Sequence, residues 1–200
     1  MLRVRNRAMS PEARLVASRK IFNRVEGLEA FAAARTVGFF CSLPDEPDTS
    51  EALARWSDGK CVAVPRVEGD TMRFFRYDPR TQRPGAFGIE EPGPQAELCD
   101  PGELDLIVVP GVAFTAAGQR MGRGRGYYDR YLSQPGVRAV KVGVCFAHQL
   151  VVSLPVEPRR DDGSRCDRCP GGVVRRYDGG SELRCGVERR TVAFFPTGKC

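Results

Sequence analysis

Residues 105–132 read DLIVVPGVAFTAAGQRMGRGRGYYDRYL. Three patterns follow one another there. Residues 106–109 form a fully apolar run bounded by Asp105 and Pro110, which suits a strand covered on both faces, as in a parallel sheet. A loop rich in Gly, Ala and Thr comes next. Then residues 120–126 alternate arginine with glycine, and residues 127–132 read as the first turns of a helix. Glycines let backbone N–H groups turn toward an anion with no Cβ in the way. Interleaved guanidiniums supply charge and forked donors for phosphate oxygens. A helix N-terminus adds positive partial charge. Strand, Gly/Arg loop and helix start together describe a polyphosphate site. A basic surface loop, or an RNA-binding arginine–glycine tract, is the other reading of the same residues. The stretch is neither a Walker A loop nor a dinucleotide fingerprint.

Outward from this centre the chain alternates helix and strand. Residues 10–26 carry a helix signal, with Ser10 as N-cap, Pro11 at the first helical position and Glu12 in the first turn. Leu15, Ser18, Ile21, Phe22 and Val25 fall at helical spacing and define its buried stripe. Residues 35–42 and 61–65 read as strands. Between them Thr49 or Ser50 caps a helix that runs through Trp56, with Gly59 just past its end. That is a βαβ unit. Its crossover bears Asp45, Glu46 and Asp48, which on residue type alone are an acidic surface loop. Residues 71–77 are a further strand, residues 88–94 (GIEEPGP) a loop, and residues 137–146 the last clear strand. His148, the only histidine, reads as structural. The fold expected is α/β: a three-layer α/β/α domain around a mainly parallel sheet. Sites in such a fold lie at the carboxyl ends of strands.

Two hundred residues fit one domain with a tail. No run approaches the ~18 apolar residues of a membrane span, and the charged first residues lack a secretory apolar core. A cytoplasmic protein with free thiols is expected. The net charge of +6 is uneven: residues 159–200 hold ten basic and six acidic side chains, and the body is nearly neutral. The basic balance is therefore no argument for nucleic acid. Half of the eight cysteines, Cys166, Cys169, Cys185 and Cys200, also lie in that tail.

VPGVAF followed by G-x-R-x-G-R-G-x-G-Y-Y-D-R-Y-L resembles the signature of the 5-formyltetrahydrofolate cyclo-ligases (5,10-methenyltetrahydrofolate synthetases). The likeness spans about residues 11–158. It implies ATP-dependent cyclisation of 5-formyltetrahydrofolate to 5,10-methenyltetrahydrofolate, with ADP and phosphate released. It also implies that the Gly-rich segment holds the ATP phosphates. Carried onto this sequence, the ATP-binding set is Arg3, Arg7, Arg120, Gly122, Arg123, Gly124, Arg125, Gly126, Tyr127 and Tyr128. Arg123, Arg125 and Tyr128 are the catalytic candidates and Asp129 the Mg²⁺ candidate. Glu46, in a Glu-x-Asp-Thr context, and Thr49 face the folate. The expected partners are a reduced folate and ATP, with no nucleic acid and no membrane, on a monomer. Two departures stand out: Thr115 occupies a position where Asp is usual, and Arg125 one where Gly or Lys is usual. The family's leading Lys has no counterpart, so either Arg3 or Arg7 substitutes for it or the start is truncated.

The likeness ends abruptly after Pro158. Three readings of the tail compete: a zinc site around Cys166-x-x-Cys169, a disordered basic segment, and a frameshift. A lone CxxC pair is a weak zinc signal. Read one base into the Pro158 codon, the degenerate codons that follow permit H-D-V-T-M-D-R-V-V-T-D-A. That is close to the His-Asp-hydrophobic…Met-Asp segment of the family, which supplies a further acidic Mg²⁺ site. The frameshift is the favoured reading. It makes the chain a catalytically impaired homologue, lacking a metal ligand and a closing strand. The rival from another class is an RNA-binding or regulatory protein that uses the Arg/Gly loop.

Overall fold

The central apolar run becomes a strand whose residues are all buried. The computed structural model describes residues 2–85, 88–154, 173–176 and 191–194. In chain order the first elements are α1 (Leu2–Arg7), α2 (Pro11–Glu26), α3 (Glu29–Ala33), β1 (Thr36–Gly38), α4 (Ser50–Gly59), β2 (Cys61–Glu68) and β3 (Thr71–Arg76). They continue with β4 (Gln82–Pro84), β5 (Glu90–Pro92), β6 (Leu98–Cys99), β7 (Leu106–Pro110), β8 (Ala113–Thr115) and β9 (Arg120–Met121). Then come α5 (Tyr127–Leu132), β10 (Val140–Val144), β11 (Leu150–Val151), β12 (Val173–Arg176) and β13 (Thr191–Phe194).

The main sheet has six strands in the order β10-β7-β1-β2-β3-β6. The four from β10 to β2 are parallel, and β3 and β6 add an antiparallel edge. Side chains alternate across β7, as the pleat requires. Leu106 and Val108 join the core that α2, α3 and α4 cover. Ile107 and Val109 join the opposite core with Phe74, Ala63 and Tyr131 of α5. This is the three-layer α/β/α arrangement that the alternating pattern predicts. On the α2 side Trp56 closes the layer, 4.4 Å from the Phe39 ring and 5.9 Å from Phe22.

Helix α2 starts where the sequence says: Ser10 Oγ accepts the Ala13 amide at 3.2 Å, with Pro11 in the first turn. Ser18, Ile21, Phe22 and Val25 are its buried stripe, while Leu15 is only partly covered. Elsewhere the local signals mislead. Thr49 does not cap α4 with its hydroxyl. That oxygen accepts the Ser42 amide at 3.1 Å, and Asp48 Oδ1 takes the Ser50 amide at 3.0 Å instead. The ladder of β1 covers only Thr36–Gly38, although Phe39 and Phe40 beyond it are buried. Residues 88–94 are not all loop, because β5 pairs with β4 in a short ribbon that buries Glu91. The Gly/Ala/Thr loop contains the hairpin β8/β9, in which Phe114 faces Arg120.

Of the tail, the structure describes only β12 and β13, which pair in parallel, with the β13 backbone running beside β10. The zinc, disorder and frameshift readings otherwise fall on residues outside the described ones. Among the described residues no helix is long and apolar enough to cross a membrane, and Cys41, Cys61, Cys99 and Cys145 are free thiols.

The strand order fixes where a site belongs. From β1 the chain crosses through α4 to β2 on one side. On the other side of β1 lies β7, from which the chain moves further out to β10. Connections thus diverge between β1 and β7, and a crevice opens at their carboxyl ends.

Candidate active site

Two loops meet over that crevice. The loop after β1 is acidic and the loop after β7 is basic. In the first, Glu46 is 6 % exposed and Asp45 3 %, values far below those of ordinary surface carboxylates. Local hydrogen bonds hold it: the Glu46 amide donates to Leu43 O at 2.9 Å, and Glu46 Oε2 accepts the Leu43 amide at 3.0 Å. Ser42 and Thr49 exchange amide-to-hydroxyl bonds across its base. Arg14 donates to the Pro44 carbonyl. Thr49 is therefore buried and occupied inside the loop.

The second loop is fixed from below by Gln149, which the sequence did not single out. Its Nε2 donates to both the Gly111 and the Val112 carbonyls at 3.0 Å, and its Oε1 accepts the Phe146 amide at 2.8 Å. Gly111 is required there, since a Cβ would stand 2.7 Å from the Phe114 ring. Arg120 then reaches back, with Nε on Pro110 O at 2.9 Å and Nη1 on Asp129 Oδ1 at 2.8 Å. Its guanidinium lies 5.4 Å from the centre of the Tyr128 ring. Gly124 and Gly126 have φ of +90° and +66°, a conformation that turns successive peptide groups and disfavours other residues. Gly126 is the residue from which α5 departs.

Arg123 joins the two loops. Its Nη2 lies 2.7 Å from Asp45 Oδ1 and 2.9 Å from Glu46 Oε1, and its Nε is 3.0 Å from the same Glu46 oxygen. Burial alone would push the Asp45 carboxyl up, but the hydrogen bonds from Arg123 and Arg3 hold it below the usual range. Burial likewise opposes the charge on Arg123, and its contacts with Asp45 and Glu46 more than offset this and raise it. Asp45 and Arg123 therefore both stay charged.

The remaining candidates spread around this bridge. Arg3, on α1, binds Asp45 Oδ2 at 2.9 Å, whereas Arg7 and Arg125 face solvent. Tyr127 donates to the Gly69 carbonyl at 3.2 Å, which ties α5 to the turn between β2 and β3. The Tyr128 hydroxyl is buried and has no hydrogen-bond partner among the described residues. Burial first, then the Glu46 charge, pushes its pKa well above the usual phenol value. Two residues that the sequence did not assign complete the rim. Asp45 is the carboxylate shared by Arg3 and Arg123. Asn6, buried in α1, contacts both the Asp45 carbonyl and the His148 ring. Nothing in the composition of the arginine-rich stretch before Ser10 marks a single asparagine as its buried residue.

No group of three His, Cys, Asp or Glu suited to a resident metal exists among the described residues. Magnesium carried in on a nucleotide needs only one or two protein carboxylates beside phosphate and water. Asp129, half-exposed next to Arg120, fits that lesser requirement.

A model of the 5-formyltetrahydrofolate cyclo-ligase family matches residues 1–163. The match extends the likeness over residues 11–158 at both ends. The 5-formyltetrahydrofolate cyclo-ligase of Escherichia coli (strain K12) is 32 % identical over 164 residues, covering 78 % of this chain and 90 % of its own. The mouse enzyme of the same name is 29 % identical over 170 residues, with 78 % and 84 % covered. The NMR structure of Aquifex aeolicus 5,10-methenyltetrahydrofolate synthetase superposes with a TM-score of 0.73 at 31 % identity, over 92 % of this chain and 93 % of that one.

Proposed function

The chain belongs to the 5-formyltetrahydrofolate cyclo-ligase family, and from that premise we infer that it is an ATP-dependent ligase closing 5-formyltetrahydrofolate to 5,10-methenyltetrahydrofolate. The observation that carries this reading is the Arg123 bridge. A guanidinium of the basic loop touches the buried Glu46 carboxylate of the acidic loop at 2.9–3.0 Å. A phosphate held by one loop and a pterin held by the other would then be neighbours. Direct phosphoryl transfer needs that adjacency, because the reacting atoms must come within about 3–3.5 Å.

The formyl oxygen of the substrate is a poor leaving group. Transfer of the γ-phosphoryl group to it breaks the bond to ADP and leaves an activated, imidate-like carbon. N10 of the folate attacks that carbon, and as the ring closes the C–O bond breaks and phosphate departs, taking up the proton that N10 gives up. Little covalent chemistry falls to the protein, which positions the two substrates and neutralises the charge on the phosphoryl group. Arg120, Arg123 and Arg125 supply that positive charge, and Gly122, Gly124 and Gly126 let the backbone approach. Glu46 accepts the donor edge of the pterin. The Tyr128 ring, which lies beside the Arg120 guanidinium, would wall the site. Asp129 would hold magnesium, which when bound neutralises phosphate oxygens. Arg3 lies close enough, through Asp45, to complete the cationic wall.

Absorbance of the methenyl product, followed with ATP, Mg²⁺ and 5-formyltetrahydrofolate, tests the reading. Glu46→Gln should weaken folate use and Asp129→Asn should weaken the response to magnesium. A wild-type signal unchanged by both substitutions would refute the assignment. Salt-sensitive RNA binding without product would favour the Arg/Gly-tract reading.

A further inference from the structure

We infer that Asn6 is a positioning residue for the nucleotide half of the site: its side-chain amide, held between the His148 ring and the Asp45 carbonyl, sets α1 against the acidic loop. This rests on the cyclo-ligase reading above. Asn6 is the one buried residue of α1, and a buried amide requires partners at both ends. Its Nδ2 donates to Asp45 O at 2.8 Å, and its Oδ1 faces His148 Nε2. Turning the amide over would set its oxygen against the Asp45 carbonyl oxygen. The orientation is thereby fixed, and His148 must carry a proton on Nε2. Protonating the ring adds a hydrogen at Nδ1 and leaves that donor in place, so the contact survives in either charge state.

His148 sits in the turn Ala147–Gln149, beside the glutamine that pins Gly111 and Val112. One turn therefore registers both sides of the crevice, the basic loop through Gln149 and α1 through His148. The dependence on Asn6 is unequal. The acidic loop keeps its own bonds at Leu43, Glu46, Ser42, Thr49 and Arg14 whether or not Asn6 is present. Helix α1 is joined to that loop through Asn6 and through the Arg3–Asp45 pair, whose arginine is half exposed. With its arginine half in solvent, that pair is screened on one side and holds α1 less firmly than a buried amide bonded at both ends. Removing the amide should thus loosen α1, with Arg3 and Arg7, and leave the folate carboxylate where it is.

That asymmetry is measurable by steady-state kinetics on the full chain. Asn6→Ala should raise KM for ATP on the order of tenfold, the scale of one or two lost buried hydrogen bonds, while kcat and KM for 5-formyltetrahydrofolate stay within about twofold. His148→Gln keeps an N–H donor at similar reach and should resemble wild type, whereas His148→Leu should resemble Asn6→Ala. Equal shifts in both KM values, no shift in either, or His148→Gln as damaging as His148→Leu would overturn the inference. Failure of the cyclo-ligase reading shows separately, as a wild-type protein that makes no methenyl product. Calorimetric titration with a non-hydrolysable ATP analogue then decides the point: about tenfold weaker binding by Asn6→Ala supports it, and unchanged affinity overturns it.

Discussion

Replacing Arg123 by alanine should cost the protein much of its stability at neutral pH and progressively less in acid. The wild-type guanidinium makes four contacts of 2.7–3.3 Å to two carboxylates. Those carboxylate side chains are 3 % and 7 % exposed. Taking one partner from a fully buried pair costs about 3–5 kcal/mol, because a desolvated charge is left behind. Here the arginine side chain is 25 % exposed, and Arg3 remains on Asp45. The expected loss is therefore smaller, about 2–3 kcal/mol. For a domain of this size that is a fall in Tm of roughly 5–10 °C. The sign of the pH dependence follows from Asp45. Its carboxyl is held below the ordinary value of 3.8 in the folded wild type. Its contribution is thus complete above that value and lost as pH falls through the lowered one. In the variant, burial of Asp45 is opposed only by Arg3, so protonation of Asp45 relieves the penalty. The gap between wild type and variant should be full at neutral pH and shrink as pH approaches the carboxylate range. Urea denaturation at a series of pH values measures it. A variant as stable as wild type at neutral pH, or a gap that widens in acid, would refute the argument.

Two further substitutions probe the loop that meets this bridge. Gly126→Ala places a Cβ on a residue with φ of +66°, which costs roughly 1–2 kcal/mol. A rise in KM for ATP out of proportion to the loss in Tm is expected, because the peptide groups ahead of α5 must turn, and an unaltered KM would count against phosphate binding there. Gln149→Leu removes three hydrogen bonds of 2.8–3.0 Å from a side chain that is 1 % exposed. With about 1–3 kcal/mol for each buried group left unpaired, a loss above ~3 kcal/mol should appear in urea denaturation, and a change below ~0.5 kcal/mol would show that the pin carries nothing.

The parts of the fold that follow from one local cause were legible in the sequence. The apolar run at β7 could only be a covered strand, and Ser10-Pro11 could hardly be anything but the start of α2. The Gly/Arg alternation announced an anion site because both residue types serve one purpose there. Where two local causes compete, the sequence misleads. Thr49 and Ser50 both suit a helix cap, but the Thr49 hydroxyl accepts the Ser42 amide and the Ser50 amide goes to Asp48. Residues 88–94 look like loop by composition, yet the ribbon with β4 forms because β2 passes beneath β5. The site was legible only in halves. Glu46 and Arg123 were each named, but their contact spans 77 positions in sequence. It exists because strand order brings β1 beside β7, which no window of residues reveals. Asn6 and Gln149 were invisible for the same reason, since their partners lie 39 and 37–38 positions away.

That strand order also explains why the two loops carry opposite charge. Each loop must expose hydrogen-bonding groups at the mouth of a crevice whose walls are apolar strands. Two buried carboxylates alone there would repel each other and suffer full desolvation. Guanidiniums crowded on the other side would do the same. Brought together, each set compensates the other, and the protein keeps charged groups in a partly dry place without a ligand. The compensation is provisional, because a phosphate is a competing partner for the guanidiniums and a pterin edge is a competing partner for Glu46. Either ligand alone leaves part of the opposing set unpaired, while both together re-pair every group. If Arg123 changes partner when nucleotide arrives, binding of ATP must strengthen binding of folate, and by reciprocity folate must strengthen ATP by the same factor. Calorimetry of a folate analogue with and without a non-hydrolysable ATP analogue measures that factor. A value of one would mean that Arg123 keeps its carboxylates throughout, serving to hold Glu46 rather than to receive phosphate.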